Sequence, residues 1–315
     1  MILYTLRLRF ACAMAQVLLL ATTANAGSVV RFDTVLGSFD VQLYDDVMPV
    51  TVNNFLDYVS TARFDGTVVH RNSDTQGRDF VIQGGGFTLL DPDPPNPASI
   101  ISFDSVNTDA PINDEPGGGV AGPSNLRGTI AMAKSGPNTV TSQWFINQGD
   151  NSFLDDPARG DGGFSAFGTV LGDGMTVVDT IGDLPLPNDF GFDIASPFND
   201  LPLRDFSGTA INDIRVANTV TVNSISQLVV IPGDFNLDGQ VDNDDFAILN
   251  AGIGIEDAAF FDDGDADMDG DVDGADFLAW QANFGISTTL SAFSVPEPTT
   301  IVLACLGLPA MIRRR

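Results

Sequence analysis

Thiols are scarce in this 315-residue chain. Its two cysteines, Cys12 and Cys305, both lie in terminal segments that read as address labels. A processed chain would therefore hold no disulfide, no thiolate metal site and no cysteine nucleophile. Basic residues are also few: 14 Lys and Arg stand against 42 Asp and Glu, a formal net charge of −28. A surface of that sign repels nucleic acid and anionic lipid, which sets aside phosphate-reading functions, and it suits a soluble protein that binds cations. The N-terminal apolar run, Ala11 to Ala21, falls well short of the ~20 residues a bilayer span needs. Arg7 and Arg9 precede it and Ala24-Asn25-Ala26 follows it, so residues 1–26 read as a secretory signal peptide, not an N-terminal anchor.

The other end carries Val295-Pro296-Glu297-Pro298, an apolar stretch from Thr299 to Ile312, and then Arg313-Arg314-Arg315. Residues 295–315 resemble the bacterial Pro-Glu-Pro sorting tail (PEP-CTERM), which implies an exosortase-type enzyme as a partner. A simple membrane tail with its basic cluster on the cytoplasmic side is the competing reading. Both ends together place the protein outside the cytoplasm: periplasm, cell envelope or extracellular space, with transient anchoring by the tail.

Between the ends, Val30, Phe32 and Thr34 alternate, Leu36-Gly37-Ser38 turns, and Phe39, Val41 and Leu43 alternate again, which predicts a hairpin. Pro49 opens a helix whose Val52, Phe55, Leu56 and Val59 share one face. Short strands are expected at 67–70, 80–83, 129–132, 144–147 and 165–170, a second helix at 175–181, and a closing strand at 220–223. Many short strands with Gly and Pro between them predict a mainly β fold, a closed antiparallel barrel with helices over its ends. Segments 91–97, 115–124 and 183–213 are irregular, the last longer than an ordinary connection.

Two separated stretches carry chemistry. Val69-His70-Arg71 leads to Phe80-Val81-Ile82-Gln83-Gly84-Gly85-Gly86-Phe87, and Gly128-Thr129-Ile130-Ala131-Met132-Ala133 leads to Ser142-Gln143-Trp144-Phe145-Ile146-Asn147. Taken singly, each aromatic reads as core and Arg71 as a surface arginine. The glycine run is not followed by the Lys-Ser/Thr of a phosphate loop. In this order, however, the motifs resemble cyclophilins, the peptidyl-prolyl cis-trans isomerases, over residues 27–225. That resemblance implies an eight-stranded closed barrel with two capping helices and a cofactor-free isomerase. Arg71 would be the catalytic arginine, and Phe80, Gln83 and Phe145 would stand beside it. His70, Val81, Ala133, Lys134, Gln143, Phe153, Leu154 and Phe164 would bind substrate: proline-containing peptides or unfolded exported proteins. Several positions depart from the pattern. The stretch Asn72–Asp79 is longer than the family usually shows, Val81 stands where methionine is common, and Phe164 stands where His or Tyr is frequent. The long stretch after Arg71 keeps an alternative open, a non-catalytic scaffold that only binds proline peptides.

After Ile231 the composition changes. From Pro232 to Gly285 there are 15 carboxylates and no Lys or Arg. Asp234, Asn236, Asp238, Gln240, Asp242 and Asp245 follow EF-hand spacing, with Gly239 at the turn and Gln240 offering its carbonyl. The pattern recurs 31 residues on as Asp265, Asp267, Asp269, Asp271, Asp273 and Asp276, and each loop runs into an apolar helical segment. Asp at the twelfth position and the doubling of loop plus helix resemble a type I dockerin over 231–286. That implies about two calcium ions and a cohesin-like partner. Asn243-Asp244 and Gly274-Ala275 depart from the recognition pair of cellulosomal dockerins. Residues 287–298 read as a linker.

Overall fold

The computed structural model describes residues 27–74, 79–92, 101–117 and 120–288. The signal-peptide and sorting-tail segments, both cysteines and most of the linker lie outside the described residues. Among the described residues, no helix is long and apolar enough to cross a membrane.

The first hairpin joins β1 (Val29–Thr34) to β2 (Gly37–Leu43). Val30, Phe32, Val41 and Leu43 all turn inward, as their alternation predicts. The turn is tighter than Leu36-Gly37-Ser38: Thr34 pairs directly with Gly37, whose φ of 130° admits only glycine comfortably. Helix α1 (Pro49–Ser60) starts with proline in its first turn, and Met48 at its N-cap has no oxygen to offer. Glu115 acts in its place, accepting from Val50 N at 3.2 Å and Thr51 N at 2.7 Å, so a carboxylate from a distant loop caps the helix dipole.

The chain continues through β3 (Thr67–Val68), β4 (Arg71–Asp74), β5 (Asp79–Gly84), β6 (Phe87–Leu90), β7 (Ser102–Ser105), β8 (Thr129–Met132), β9 (Trp144–Asn147) and β10 (Ala166–Val170). Helix α2 (Met175–Gly182) and β11 (Thr221–Gln227) complete this part. All paired strands are antiparallel, in the order β4-β5-β9-β8-β10-β2-β1-β11-β3-β6-β7.

That order does not by itself show the expected closed barrel of eight strands. The sheet has eleven strands, and among the described residues no ladder joins its two ends. The cause lies at Val69-His70. Val69 N–H bonds to Val220 O on the β11 side, whereas His70 N–H bonds to Gln83 O on the β5 side. The chain crosses between opposite parts of the order within two residues, and the β6–β7 hairpin extends the β3 end. The expected loop at 72–79 is shorter than predicted: β4 runs to Asp74 and β5 starts at Asp79, with 75–78 outside the described residues.

Among the described residues four apolar cores result, the smallest of them around Val81, Phe145 and Leu154. The largest gathers Phe32, Phe39, Phe55, Ile130, Trp144 and Phe167 between the sheet and its helices, with Phe32 stacked on Phe39 at 4.8 Å. The Gly84-Gly85 run borders this core, where a Cβ on Gly84 would lie 2.6 Å from the Trp144 ring. The irregular stretch 183–213 builds a second core: its Phe198, Leu201 and Leu203, with Ile214 just beyond it, pack on Val68 and Leu89. The third belongs to the acidic part, where Phe235, Leu249, Phe261 and Val272 pack between helices α3 (Asn243–Gly252) and α4 (Gly274–Asn283).

Candidate functional site

Strand pairing brings the first group of predicted residues together. Arg71 on β4 is the cross-strand partner of Gln83 on β5, and Gln83 in turn opposes Phe145 on β9. Period-two alternation then sends these side chains to one face. Arg71 Nη1 donates to Gln83 Oε1 at 3.4 Å, and Arg71 Nη2 donates to Ser73 Oγ at 3.1 Å. Gln83 Nε2 donates to Gln143 Oε1 at 2.8 Å, so a polar chain runs from the guanidinium across the sheet.

Beside this chain lies a cavity of about 280 Å³. Arg71 and Gln83 form its polar side, and Phe80, Val81, Phe145, Leu154 and Phe164 form an apolar wall. Val81, Phe145 and Leu154 are buried, with Ala131, in a small cluster of their own. Phe164 meets Phe145 edge-on at 5.7 Å, which fixes both rings. Phe153 stands outside the lining, 55% exposed, and stacks on Phe80 at 5.8 Å.

The remaining predicted residues are placed differently. His70 is 2% exposed, with its ring edge-on to Phe87 at 4.9 Å, and it does not line the cavity. Next to Arg71 in an extended stretch, it turns to the opposite side of the chain, away from the cavity. Burial lowers its pKa from 6.5 to about 4, and Nδ1 has no partner. Ala133 and Lys134 do reach the cavity. Ala133 N–H is already bonded to Gln143 O at 2.8 Å. The Lys134 side chain is only 4% exposed, and its ammonium pairs with Asp114 at 2.8 Å.

Two lining residues escaped sequence reasoning: Arg159 and Asp161. Their side chains pair at 2.9 Å across a turn, and the Arg159 guanidinium holds the Asp161 carboxyl below the usual carboxylate range. Nothing in the local pattern of this Gly-rich loop marks them, because only the fold carries the loop to the cavity.

A second group lies in the acidic part. Asp242 and Asp273 cap α3 and α4, accepting from Asp244 N at 2.8 Å and Ala275 N at 2.7 Å. Asp245 and Asp276 return the bond to the backbone N–H of Asp242 and Asp273, giving two reciprocal capping boxes. Leu237 and Met268, fourth in each loop, share a left-handed backbone (φ 56° and 59°). Asp234 accepts from Asp238 N and Gly239 N, as Asp265 does from Asp269 N and Gly270 N. The doubled sequence pattern thus folds into a doubled geometry.

Asp234, Asp245, Asp265 and Asp276 are all at most 4% exposed. Burial pushes Asp234 and Asp265 up to about 6, and the neighbouring carboxylates Asp245 and Asp276 add to the rise. Oxygens of Asp265, Asp267 and Asp269 lie within 4.8 Å of one another, and Asp267 Oδ1 is buried without a partner. Acceptors gathered this closely with no positive side chain among them are a donor set that a hard, oxygen-seeking cation fits. Asn236, Asp238, Gln240 and Asp271 occupy the outer, more exposed part of the loops.

Comparison with known proteins bears on the part of the chain that forms the sheet. The family model described as cyclophilin type peptidyl-prolyl cis-trans isomerase/CLD matches residues 29–195. A peptidyl-prolyl cis-trans isomerase of Acinetobacter baylyi is 38% identical over 169 residues, covering 53% of this chain and 79% of that protein. Peptidyl-prolyl cis-trans isomerase A of Dickeya dadantii is 35% identical over 185 residues, covering 58% and 83%. Peptidyl-prolyl cis-trans isomerase B of Escherichia coli is 37% identical over 157 residues, covering 49% and 83%. A crystal structure of a cyclophilin type isomerase from Cryptosporidium parvum is 20% identical, covers 65% of this chain and 99% of that chain, and superposes with a TM-score of 0.42.

Proposed function

The chain belongs to the cyclophilin-type peptidyl-prolyl cis-trans isomerase family and is such an isomerase, and from that premise we propose how its residues act. Rotation about a prolyl amide faces a barrier of ~18–20 kcal/mol because resonance stiffens the C–N bond. At the twisted geometry resonance is lost and charge returns to nitrogen and oxygen. A donor that meets the amide better in that state lowers the barrier, and a thousand-fold acceleration needs only ~4 kcal/mol. Arg71 is that donor. The observation that carries this reading is its place, bonded to Gln83 and bordering the apolar cavity of Phe80, Val81, Phe145, Leu154 and Phe164. The wall holds the proline ring and excludes water, which strengthens the guanidinium's pull on the developing charge.

Gln83 and Gln143 orient Arg71 and meet the substrate backbone, Ala133 and Lys134 border the peptide, and Phe153 covers Phe80 from outside. No proton transfer is needed, and the buried neutral His70 serves the interior. Arg71→Ala is expected to lower kcat/KM by roughly 10²–10³ with the fold retained. A protease-coupled assay on a proline peptide reads this directly, and an unchanged rate removes Arg71 from the mechanism. We also take 67–74 as one bent strand, so that eight strands encircle the main core. The support is that Val69 and His70 donate to opposite neighbours.

Residues 231–286 are read as a dockerin-like module that binds about two calcium ions. The ligands are Asp234, Asn236, Asp238, the Gln240 carbonyl, Asp242 and Asp245, and in the second loop Asp265, Asp267, Asp269, Asp271, Asp273 and Asp276. Bound calcium supplies the positive charge that the crowded carboxylates lack. With the signal peptide and sorting tail, this makes the protein an exported isomerase for X–Pro bonds of secreted or envelope proteins, attached through a cohesin-like partner.

A further inference from the structure

The stretch from Asp183 to Asp213 has so far only a packing role, yet one of its residues reaches Arg71. Asp200 Oδ2 lies 3.5 Å from Arg71 Nε, an ion pair longer than a hydrogen bond. Asp200 stands beyond residue 195, where the family match ends. We propose that Asp200 is a positioning residue for Arg71, supplied by this excursion, and that it holds the guanidinium from the side away from substrate. The proposal rests on the reading of Arg71 given above.

Three observations place it there. First, the excursion is tied to β4 where it begins and again near its middle. Asn72 Nδ2 donates to Gly182 O at 2.6 Å, and Asn72 N donates to Asp200 O at 2.7 Å. Second, its neighbours are immobilised in the second core: Leu201 is 1% exposed, and Phe198 meets Phe103 and Phe87 edge-on at 5.0 and 5.3 Å. Asp200 is therefore carried by packed residues on both flanks. Third, Asp200 lines a different cavity from the proline cleft, one shared with Asn72, Ser73 and Asp189, so its carboxylate does not occupy the substrate side.

The donor count then makes sense. A guanidinium has five N–H groups. The Nε–H faces Asp200, one N–H goes to Gln83 and one to Ser73, which leaves two for the twisted amide. Both charges are partly exposed (41% and 29%), so screening makes the pair an orienting contact more than a source of stability. Orientation is where the effect falls, because a donor displaced by a fraction of an ångström meets the transition state less well.

The test uses the full chain and a proline tetrapeptide. Asp200→Asn keeps the backbone carbonyl that Asn72 uses, so folding is preserved. It is expected to lower kcat/KM roughly five- to tenfold, with the loss in kcat and KM within about twofold. Asp200→Glu should restore the rate to within about twofold, and in an Arg71→Lys background Asp200→Asn should change nothing further. The Nε–H resonance of Arg71 should shift in Asp200→Asn. An unmoved resonance overturns the proposal, and so, where Arg71→Ala slows the enzyme, does an unchanged kcat or an equal loss in both backgrounds. The resonance decides the positioning role even where Arg71→Ala removes Arg71 from catalysis, so the two readings fail separately.

Discussion

The sheet unit and the acidic module are folded in opposite ways. In the sheet unit, Phe32, Phe39, Phe55 and Trp144 fill one continuous apolar core. Its buried polar side chains are largely satisfied: Asn147 Nδ2 reaches Asn125 and Thr129, and its Oδ1 accepts from Asn151. The module has a core of six buried residues, two of them alanine, and beside it four carboxylates that are almost wholly buried. Apolar burial stabilises at any calcium concentration, about 25 cal/mol per Å². Buried carboxylates of one sign raise the free energy of the fold until a cation joins them. The units touch where Phe261 N–H donates to Gln42 Oε1 at 2.9 Å and Gly172 N–H donates to Asp262. The contrast teaches that one chain can set a unit held by apolar burial next to a unit whose buried carboxylates call for a cation, as proposed above.

The largest effect that would sharpen this contrast is in the sheet core. Phe55 is fully buried, with Phe64 and Phe167 at 5.3 and 5.2 Å, so Phe55→Ala should cost about 3–5 kcal/mol. Chemical denaturation measures it, and a cost below about 1 kcal/mol would mean the core is not what holds this unit.

His70 gives the next largest effect. Its pKa falls from 6.5 to about 4 on folding, so the unfolded chain takes up the proton first as pH drops. Its contribution is complete above pH 6.5, declines as pH falls through about 4, and amounts to about 3 kcal/mol at most. Stability of wild type and His70→Phe between pH 7 and 4 checks the sign: the variant should lose less on acidification.

The smallest effect on the isomerase is expected from calcium removal. Chelator should abolish the circular dichroism of α3 and α4 while the isomerase rate stays within about twofold. A rate that falls in step with the helical signal would break the separation of the two units.

Much of the sheet unit was legible because periodicity is local. The alternation at Val30, Phe32, Val41 and Leu43, and the 3.6-residue spacing of Val52, Phe55 and Val59, named their buried faces correctly. The motif residues Arg71, Phe80, Gln83 and Phe145 do meet around one cavity. What was not legible depends on contacts between distant segments. His70 follows Val69 and precedes Arg71, yet only the strand's orientation decides that it faces Phe87 and not the cleft. Lys134 was expected among the substrate-binding residues, and no local pattern shows that its ammonium is buried against Asp114. Arg159, Asp161 and Asp200 sit in loops without periodicity, so no local pattern marks them as neighbours of the site.

By itself, the amino-acid order determined the alternation of the strands, the face of α1 and the doubled spacing of carboxylates, since each is set by geometry within a few residues. Only the tertiary structure decided that the strands form one antiparallel order of eleven, that His70 turns inward, and that a late excursion brings Asp200 to Arg71. Those outcomes depend on which of several compatible partners a segment meets, and that choice is made by the packing of the whole chain.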